Sequence, residues 1–144
     1  MNRLAVILVA LLTAVPVQAV EVIDAWMRAL PPGQPTAAAY LTLKNPGAES
    51  RRLVGASVPM ARSVEIHESR QVDGMWRMRR LEGLALPAGG SVTLAPGGAH
   101  LMLFGMKSPV REGDRLDVTL QFDNGETLDA EIVVKAIGAD HAHH

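Results

Sequence analysis

The amino-acid sequence predicts an all-β domain, either a sandwich or a barrel. Its 144 residues contain many short apolar stretches separated by Gly, Pro, Asn and Asp, a pattern that is typical of these folds. No stretch sustains the 3.6-residue apolar period of an amphipathic helix. The only helical candidates, near Ala37 and Ala61, are short and weak.

The predicted strands follow one another in a single domain, with no internal repeat and no linker that would divide it. Turn signals such as Pro31-Pro32-Gly33 and Asn45-Pro46-Gly47 separate them. The last two strands are joined by Asp123-Asn124-Gly125-Glu126, which is a hairpin signal. The predicted strands cover residues 22–30, 37–44, 52–58, 63–72, 75–81, 91–95, 100–106, 114–123 and 127–136.

The Asp73-Gly74 turn allows the register of one hairpin to be predicted. In a two-residue loop of the primed type, Ser69 faces Met78 and His67 faces Arg80. His67 and Met78 are then diagonal neighbours on one sheet face, with Cα atoms roughly 7–8 Å apart. At that separation both side chains can contact one ion. A slip of one residue would place them on opposite faces.

A second strand repeats this arrangement of an imidazole and a thioether. His100 and Met102 share one pleat face, and Leu101 and Leu103 lie on the other. Thioether sulfur suits Cu(I) better than hard cations such as Mg²⁺, whereas imidazole does not separate copper from zinc. A single strand histidine is more often a hydrogen-bonded structural residue, and a methionine is more often core filler.

The composition excludes several classes of function. The chain has no cysteine, so thiolate catalysis, zinc–cysteine sites and the cysteine ligand of blue copper are all absent. With a net charge of −1, nothing in the composition indicates a nucleic-acid partner, which calls for a strongly basic surface. No Ser–His–acid set, close carboxylate pair or phosphate-cradling glycine motif is evident. We therefore do not expect an enzyme.

The N-terminal segment, residues 1–19, has the pattern of a secretory signal peptide. Arg3 supplies the positive start, residues 4–15 are an apolar run, and Val17-Gln18-Ala19 is a cleavage site. We expect this segment to be removed and residues 20–137 to form the domain in the periplasm. An uncleaved anchor is the alternative, and no cysteine follows the run that could hold a lipid.

The C-terminal segment, residues 138–144, has no apolar face to bury and is expected to be a flexible tail. It contains His141, His143 and His144, and histidine-rich tracts bind Cu(II) or Zn²⁺. A tail without a fixed site, or a remnant of cloning, are the alternatives.

The spacing of the four candidate ligands resembles a known family. His67, Met78, His100 and Met102 match the pattern H-x10-M-x21-H-x-M of the periplasmic copper chaperones called PCuAC. The surrounding segments are also similar, and the resemblance covers nearly all of the chain after residue 19. Some members have methionine directly after the first histidine, where this chain has Glu68. The similar segments are VEIHES (64–69), DGMWRM (73–78), LPAGGSVTLAPGGAHLMLFGMKSP (86–109) and DAWMRALPPG (24–33).

The resemblance implies a cupredoxin-like Greek-key β-sandwich or barrel that binds one Cu(I) through His67, Met78, His100 and Met102. It also implies delivery of copper to the CuA centre of cytochrome c oxidase subunit II, alongside a Sco-type thiol protein. Some members carry His- or Met-rich C-terminal extensions, so a second ion, Cu(II), could bind the tail. Two other functions stay open: copper storage or tolerance, and an exported interaction domain in which these residues only pack.

Other methionines and a set of arginines lie near the four candidate ligands. We expect Met75 to flank the turn and Met106 to pack in the core. Arg77, Arg79 and Arg80 form a basic strip beside Met78. The strip is either a solvated strand face or a surface that steers an acidic partner.

Overall fold

The all-β class is confirmed by the computed structural model, which describes residues 10–12 and 19–138. These residues contain ten strands and no helix. The strands are β1 (Glu21–Arg28), β2 (Ala37–Lys44), β3 (Arg51–Ser57), β4 (Ser63–Val72), β5 (Met75–Leu81), β6 (Leu84–Leu86), β7 (Ser91–Leu94), β8 (Ala99–Phe104), β9 (Arg115–Phe122) and β10 (Thr127–Lys135).

Seven of the strands close into a barrel. Their order is β4-β8-β2-β1-β10-β9-β3, and the pair Ala56–Val64 joins β3 back to β4. Neighbouring strands are antiparallel except for β1 and β10, which are parallel. Strands β5, β6 and β7 extend from β4, β3 and β2. Closure pairs the edges of the seven-stranded sheet, which would otherwise be open to other chains.

The hydrophobic core fills the barrel because alternate residues of each strand point inward. In β8 the alternation is as predicted, since Leu101 and Leu103 are fully buried inside. His100 and Met102 therefore project from the outer face of the barrel. The fully buried side chains include Met27, Leu41, Leu43, Leu53, Leu101, Leu103, Leu120, Ile132 and Val134.

The predicted strand boundaries agree with the structure to within two residues, with one omission. Strand β6 was not predicted, because its three residues lie between Gly83 and Pro87 and are too short to show a period. It exists because it pairs with β3. The two helical candidates were wrong: Ala37 begins β2, and Ala61 lies in the turn before β4.

The two predicted terminal segments lie largely outside the described residues. Of the expected signal peptide only residues 10–12 and 19 are described, and of the tail only Gly138. In the part of the chain that the structure describes, no helix is long and apolar enough to cross a membrane.

Candidate metal centre

The β4–β5 hairpin has the predicted register. Asp73 and Gly74 have φ values of 53° and 75°, as a primed two-residue turn requires. Ser69 pairs with Met78, and His67 pairs with Arg80. His67 and Met78 therefore lie on the same face of the hairpin, which confirms the diagonal placement predicted from the turn.

Strand β8 brings the other two candidate ligands beside them. β8 pairs with β4 so that His100 lies directly opposite His67, and Met102 lies opposite Glu65. The centroids of the two imidazole rings are 6.2 Å apart. All four predicted residues thus lie on one outer face of the adjacent strands β5, β4 and β8.

The hydrogen bonding of His67 leaves one ring nitrogen free. Its Nε2–H donates to Oε2 of Glu65 at 2.8 Å, because a carboxylate can only accept. In the neutral ring Nδ1 then holds a lone pair. This Nδ1 is buried and has no hydrogen-bond partner among the described residues. A buried polar atom without a partner is rare and calls for a functional reason, and a bound metal ion would supply one.

His100, like His67, has one ring nitrogen in a hydrogen bond and the other free. Its side chain is buried, with the residue only 4% exposed. Its Nδ1–H donates to the carbonyl oxygen of Gly98 at 3.1 Å, which leaves the lone pair on Nε2. A hydrogen bond on one ring nitrogen fixes the tautomer and the ring orientation in metal-binding histidines. Both imidazoles are therefore held with one nitrogen available for a metal.

Glu65 orients His67 and was missed in the sequence. The hydrogen bond from His67 lowers the pKa of the Glu65 carboxyl below its ordinary value; partial burial opposes this, and the charge of Arg80 adds to it. The carboxylate is thus ionised at neutral pH and matches the carboxylate–histidine pairs that support metal ligands. Its position two residues before His67 on a strand, and so on the same face, was the available signal.

The two thioethers flank the histidine pair from opposite ends. Met78, on β5, lies opposite Ser69, which is two residues after His67 on β4. Met102, on β8, lies opposite Glu65, which is two residues before His67. Met78 is 53% exposed, whereas Met102 is half-buried. Met78 is therefore the more exposed of the two methionines.

Aromatic residues enclose the histidines on the side facing β2. The ring of Tyr40 is 6.4 Å from that of His100, and the ring of Phe104 is 5.8 Å from that of His67. Trp26 packs on Tyr40 at 4.8 Å. The sequence did not reveal these neighbours of the imidazoles, because most of them reach the site from other strands of the closed barrel.

The donor set favours a soft monovalent ion. It offers two neutral nitrogens and two thioethers, and thioether sulfur selects Cu(I) over hard cations. The described residues contain no group of three or more His, Cys, Asp or Glu side chains that could hold a harder metal. Glu68 lies on the opposite face and forms an ion pair with Arg79 at 3.2 Å, so this departure from the family pattern does not alter the donor set.

The remaining methionines are placed as predicted. Met75 follows the turn and is 60% exposed, and it lies on the hairpin face opposite to Met78. Met106 is partly buried against the core.

Sequence comparison matches nearly all of the chain after residue 19 to one protein family. The model of the family described as "Putative lipoprotein LpqE-like" matches residues 20–134. "Putative lipoprotein Lxx21020" of Leifsonia xyli subsp. xyli is 38% identical over 117 residues, which are 81% of this chain and 69% of the relative. "Uncharacterized protein RP573" of Rickettsia prowazekii is 32% identical over 88 residues, 60% of this chain and 49% of that protein.

Structure comparison finds PCuAC domains. Cu(I)-bound DR1885 from Deinococcus radiodurans is 36% identical, with a TM-score of 0.64 over 88% of this chain and 83% of that one. The copper-bound PCuAC domain of PmoF2 is 25% identical, with a TM-score of 0.68 over 85% of this chain and 97% of that domain. The resemblance to PCuAC domains and the cupredoxin-like fold are thus both confirmed.

Proposed function

The chain belongs to the LpqE-like family, and on this premise we propose that it is an exported copper chaperone. It binds one Cu(I) through His67, Met78, His100 and Met102, and it acts as a carrier and not as a catalyst. One observation supports this most strongly. The unpartnered Nδ1 of His67 lies on a strand directly opposite His100, whose Nε2 is also free.

The site is arranged for release as well as for binding. The half-buried Met102 and the two oriented imidazoles hold the ion against the barrel, while the exposed Met78 can be exchanged first. An acceptor thiolate or imidazole would take the place of Met78 and then of the remaining ligands. Copper stays Cu(I) throughout, since each step exchanges one neutral or anionic donor for another.

We further propose that the acceptor is the CuA site of cytochrome c oxidase subunit II, with a Sco-type thiol protein acting alongside. The support is the likeness to PCuAC domains. Copper storage or tolerance is the alternative use of the same site. A deletion strain separates the two, because only delivery predicts the loss of CuA in an otherwise assembled oxidase.

We propose the periplasm as the location. Residues 1–19 have the signal-peptide pattern, and the matched family and the Leifsonia xyli relative both carry the description "Putative lipoprotein". Mass spectrometry of the purified protein tests this, since the mature chain should begin near Val20.

The tail histidines are proposed as a second site that captures Cu(II). Ile137 lines the same surface hollow as Ala38, and Ala38 pairs with Met102. The chain therefore leaves the barrel beside Ala38, the residue that pairs with the proposed ligand Met102.

A competition titration with a chromogenic Cu(I) chelator tests the main proposal. It is done on the chain from residue 20, with and without residues 140–144. We expect one Cu(I) per chain in both forms, and a Cu(II) titration in which only the longer form binds. Copper must also raise the melting temperature, because a ligand that binds only the native state stabilises it. Absence of stoichiometric Cu(I) binding would favour the interaction domain without metal.

A further inference from the structure

The β4–β5 hairpin, residues 69–80, extends beyond the barrel with both faces uncovered. In the described chain β5 pairs only with β4, and every residue from Met75 to Arg80 is exposed. Of the six exposed large apolar side chains among residues 19–138, four lie here. Trp76 and Met78 are on one face, and Val72 and Met75 are on the other. Such clustering marks an interaction surface.

The hairpin is also the basic part of an otherwise acidic molecule. It contains Arg70, Arg77, Arg79 and Arg80 but only one acid, Asp73, whereas the whole chain has a net charge of −1. The remainder is therefore clearly negative. A charge separation of this kind orients the molecule as it approaches a charged partner.

Two of these arginines are placed at a cost to stability. Arg70 lies directly opposite Arg77 in the β4–β5 ladder, and like charges in this position are destabilising. Neither forms an ion pair with any described residue. The neighbouring pair is different, because Arg79 lies opposite Glu68 and bonds to it at 3.2 Å. Charges on an edge strand also prevent edge-to-edge pairing. A glutamate at position 77 would prevent it equally well, so edge protection does not explain why this residue is an arginine.

We propose that the β4–β5 hairpin is the docking element for the copper acceptor, a protein whose surface around its metal site carries carboxylates. This rests on the proposed function, because Met78, the most exposed of the proposed ligands, lies on the edge strand β5, whose opposite face carries Arg77 and Arg79. The partner lies along the open edge of β5, so that its carboxylates bind Arg77 on one face and its apolar surface packs on Trp76 on the other. The bond from copper to Sδ of Met78 breaks as a bond to an acceptor thiolate forms. Copper remains Cu(I), and the thiol proton passes to solvent. A lipid surface would supply no thiolate to take the place of Met78.

Stopped-flow copper transfer tests this proposal. The copper-loaded protein is mixed with two synthetic dithiol peptides that have the same cysteine spacing, one flanked by glutamates and the other by lysines. We expect transfer to the glutamate peptide to be faster by about tenfold or more at low salt, and the preference to fall as salt rises. Arg77→Glu should abolish most of the preference. Arg111→Glu, an equal charge change at an exposed residue outside the hairpin, should keep it.

Two further measurements on Arg77→Glu separate docking from folding and from binding. Its melting temperature should rise, because Glu at position 77 would face Arg70, and its Cu(I) affinity should equal that of the wild type. Equal transfer rates to both peptides, or an unchanged preference in Arg77→Glu, would overturn the docking role. Failure of the wild type to bind Cu(I) would instead overturn the proposed function. Binding to phosphatidylglycerol vesicles that Arg77→Glu abolishes would assign the hairpin to a membrane surface and refute a protein partner.

Discussion

The two long hairpins of this protein, β4–β5 and β9–β10, have opposite designs. In β9–β10 both strands belong to the barrel. Asp117 lies directly opposite Glu131 there, but Glu131 bonds to Arg115 at 2.6 Å, and Thr119 bonds to Asp129 at 2.8 Å. In β4–β5 the second strand lies outside the barrel, its apolar residues are exposed, and Arg70 opposes Arg77. The contrast indicates that β9–β10 supports the fold, and it is the basis of the docking role proposed for β4–β5.

The largest expected effect comes from the barrel hairpin. Leu120 is fully buried, so Leu120→Ala should lower the free energy of unfolding by about 2–5 kcal/mol. Trp76→Ala, which removes a larger side chain from the β4–β5 hairpin, should change it by no more than about 0.5 kcal/mol. Urea denaturation of the copper-free protein measures both. Equal decreases in the free energy of unfolding would mean that the apolar residues of both hairpins support the fold. The contrast between β4–β5 and β9–β10 would then be wrong.

Copper binding should depend on the outer face formed by β5, β4 and β8, and not on the β9–β10 hairpin. His100→Ala removes a nitrogen donor, and we expect the Cu(I) affinity to fall by more than about 100-fold, since supporting residues alone contribute 10–100-fold. Thr119→Ala on β9 removes only the hydrogen bond to Asp129 and should leave the affinity unchanged. Competition with a chromogenic chelator measures both values. An affinity of His100→Ala within threefold of wild type would exclude His100 as a ligand.

A smaller effect distinguishes the two faces of the β4–β5 hairpin. Met78→Ala and Met75→Ala remove the same side chain from exposed positions on opposite faces. Only Met78 lies on the face of His67, so only its loss should weaken Cu(I) binding, by about tenfold. The same chelator assay compares the two variants. Equal affinities would mean that the site holds copper without the exposed sulfur.

The sequence predicted what local chemistry determines. Asp73 and Gly74 fix the turn, the turn fixes the register, and the register places His67 and Met78 on one face. The alternation of β8 likewise separated His100 from Leu101. What pairs with β8 could not be predicted, because its contact with β4 depends on closure of the whole barrel. The contact between Tyr40 and His100 could not be predicted for the same reason.

Other parts of the site lay within reach of the sequence. Glu65 could have been predicted, since residues two apart on a strand share a face, and it lies two residues before His67. The feature of Arg70 on which the proposed docking role rests was harder to predict. A like-charge pair becomes visible only when the register places Arg70 opposite Arg77, although the register itself was available from the turn.

The smallest effect concerns pH and the support of His67. The pKa of Glu65 is lowered in the folded protein, chiefly by the hydrogen bond from His67. A carboxyl with a lowered folded pKa stabilises the fold at pH values above its ordinary pKa of about 4.3 and loses this contribution as the pH falls through the folded value. Glu65→Gln should therefore be slightly less stable than wild type at neutral pH and equally stable in acid.

Thermal melts of the copper-free proteins between neutral and acidic pH measure this difference. Glu131→Gln is the matched control in the β9–β10 hairpin, where the same substitution removes the negative charge that faces Arg115 and leaves the residues of the proposed copper site unchanged. Glu65→Gln should also lower the Cu(I) affinity, whereas Glu131→Gln should not, because only Glu65 accepts a hydrogen bond from a proposed ligand, His67. A stability difference for Glu65→Gln that grew as the pH fell would contradict the lowered pKa and the hydrogen bond that causes it.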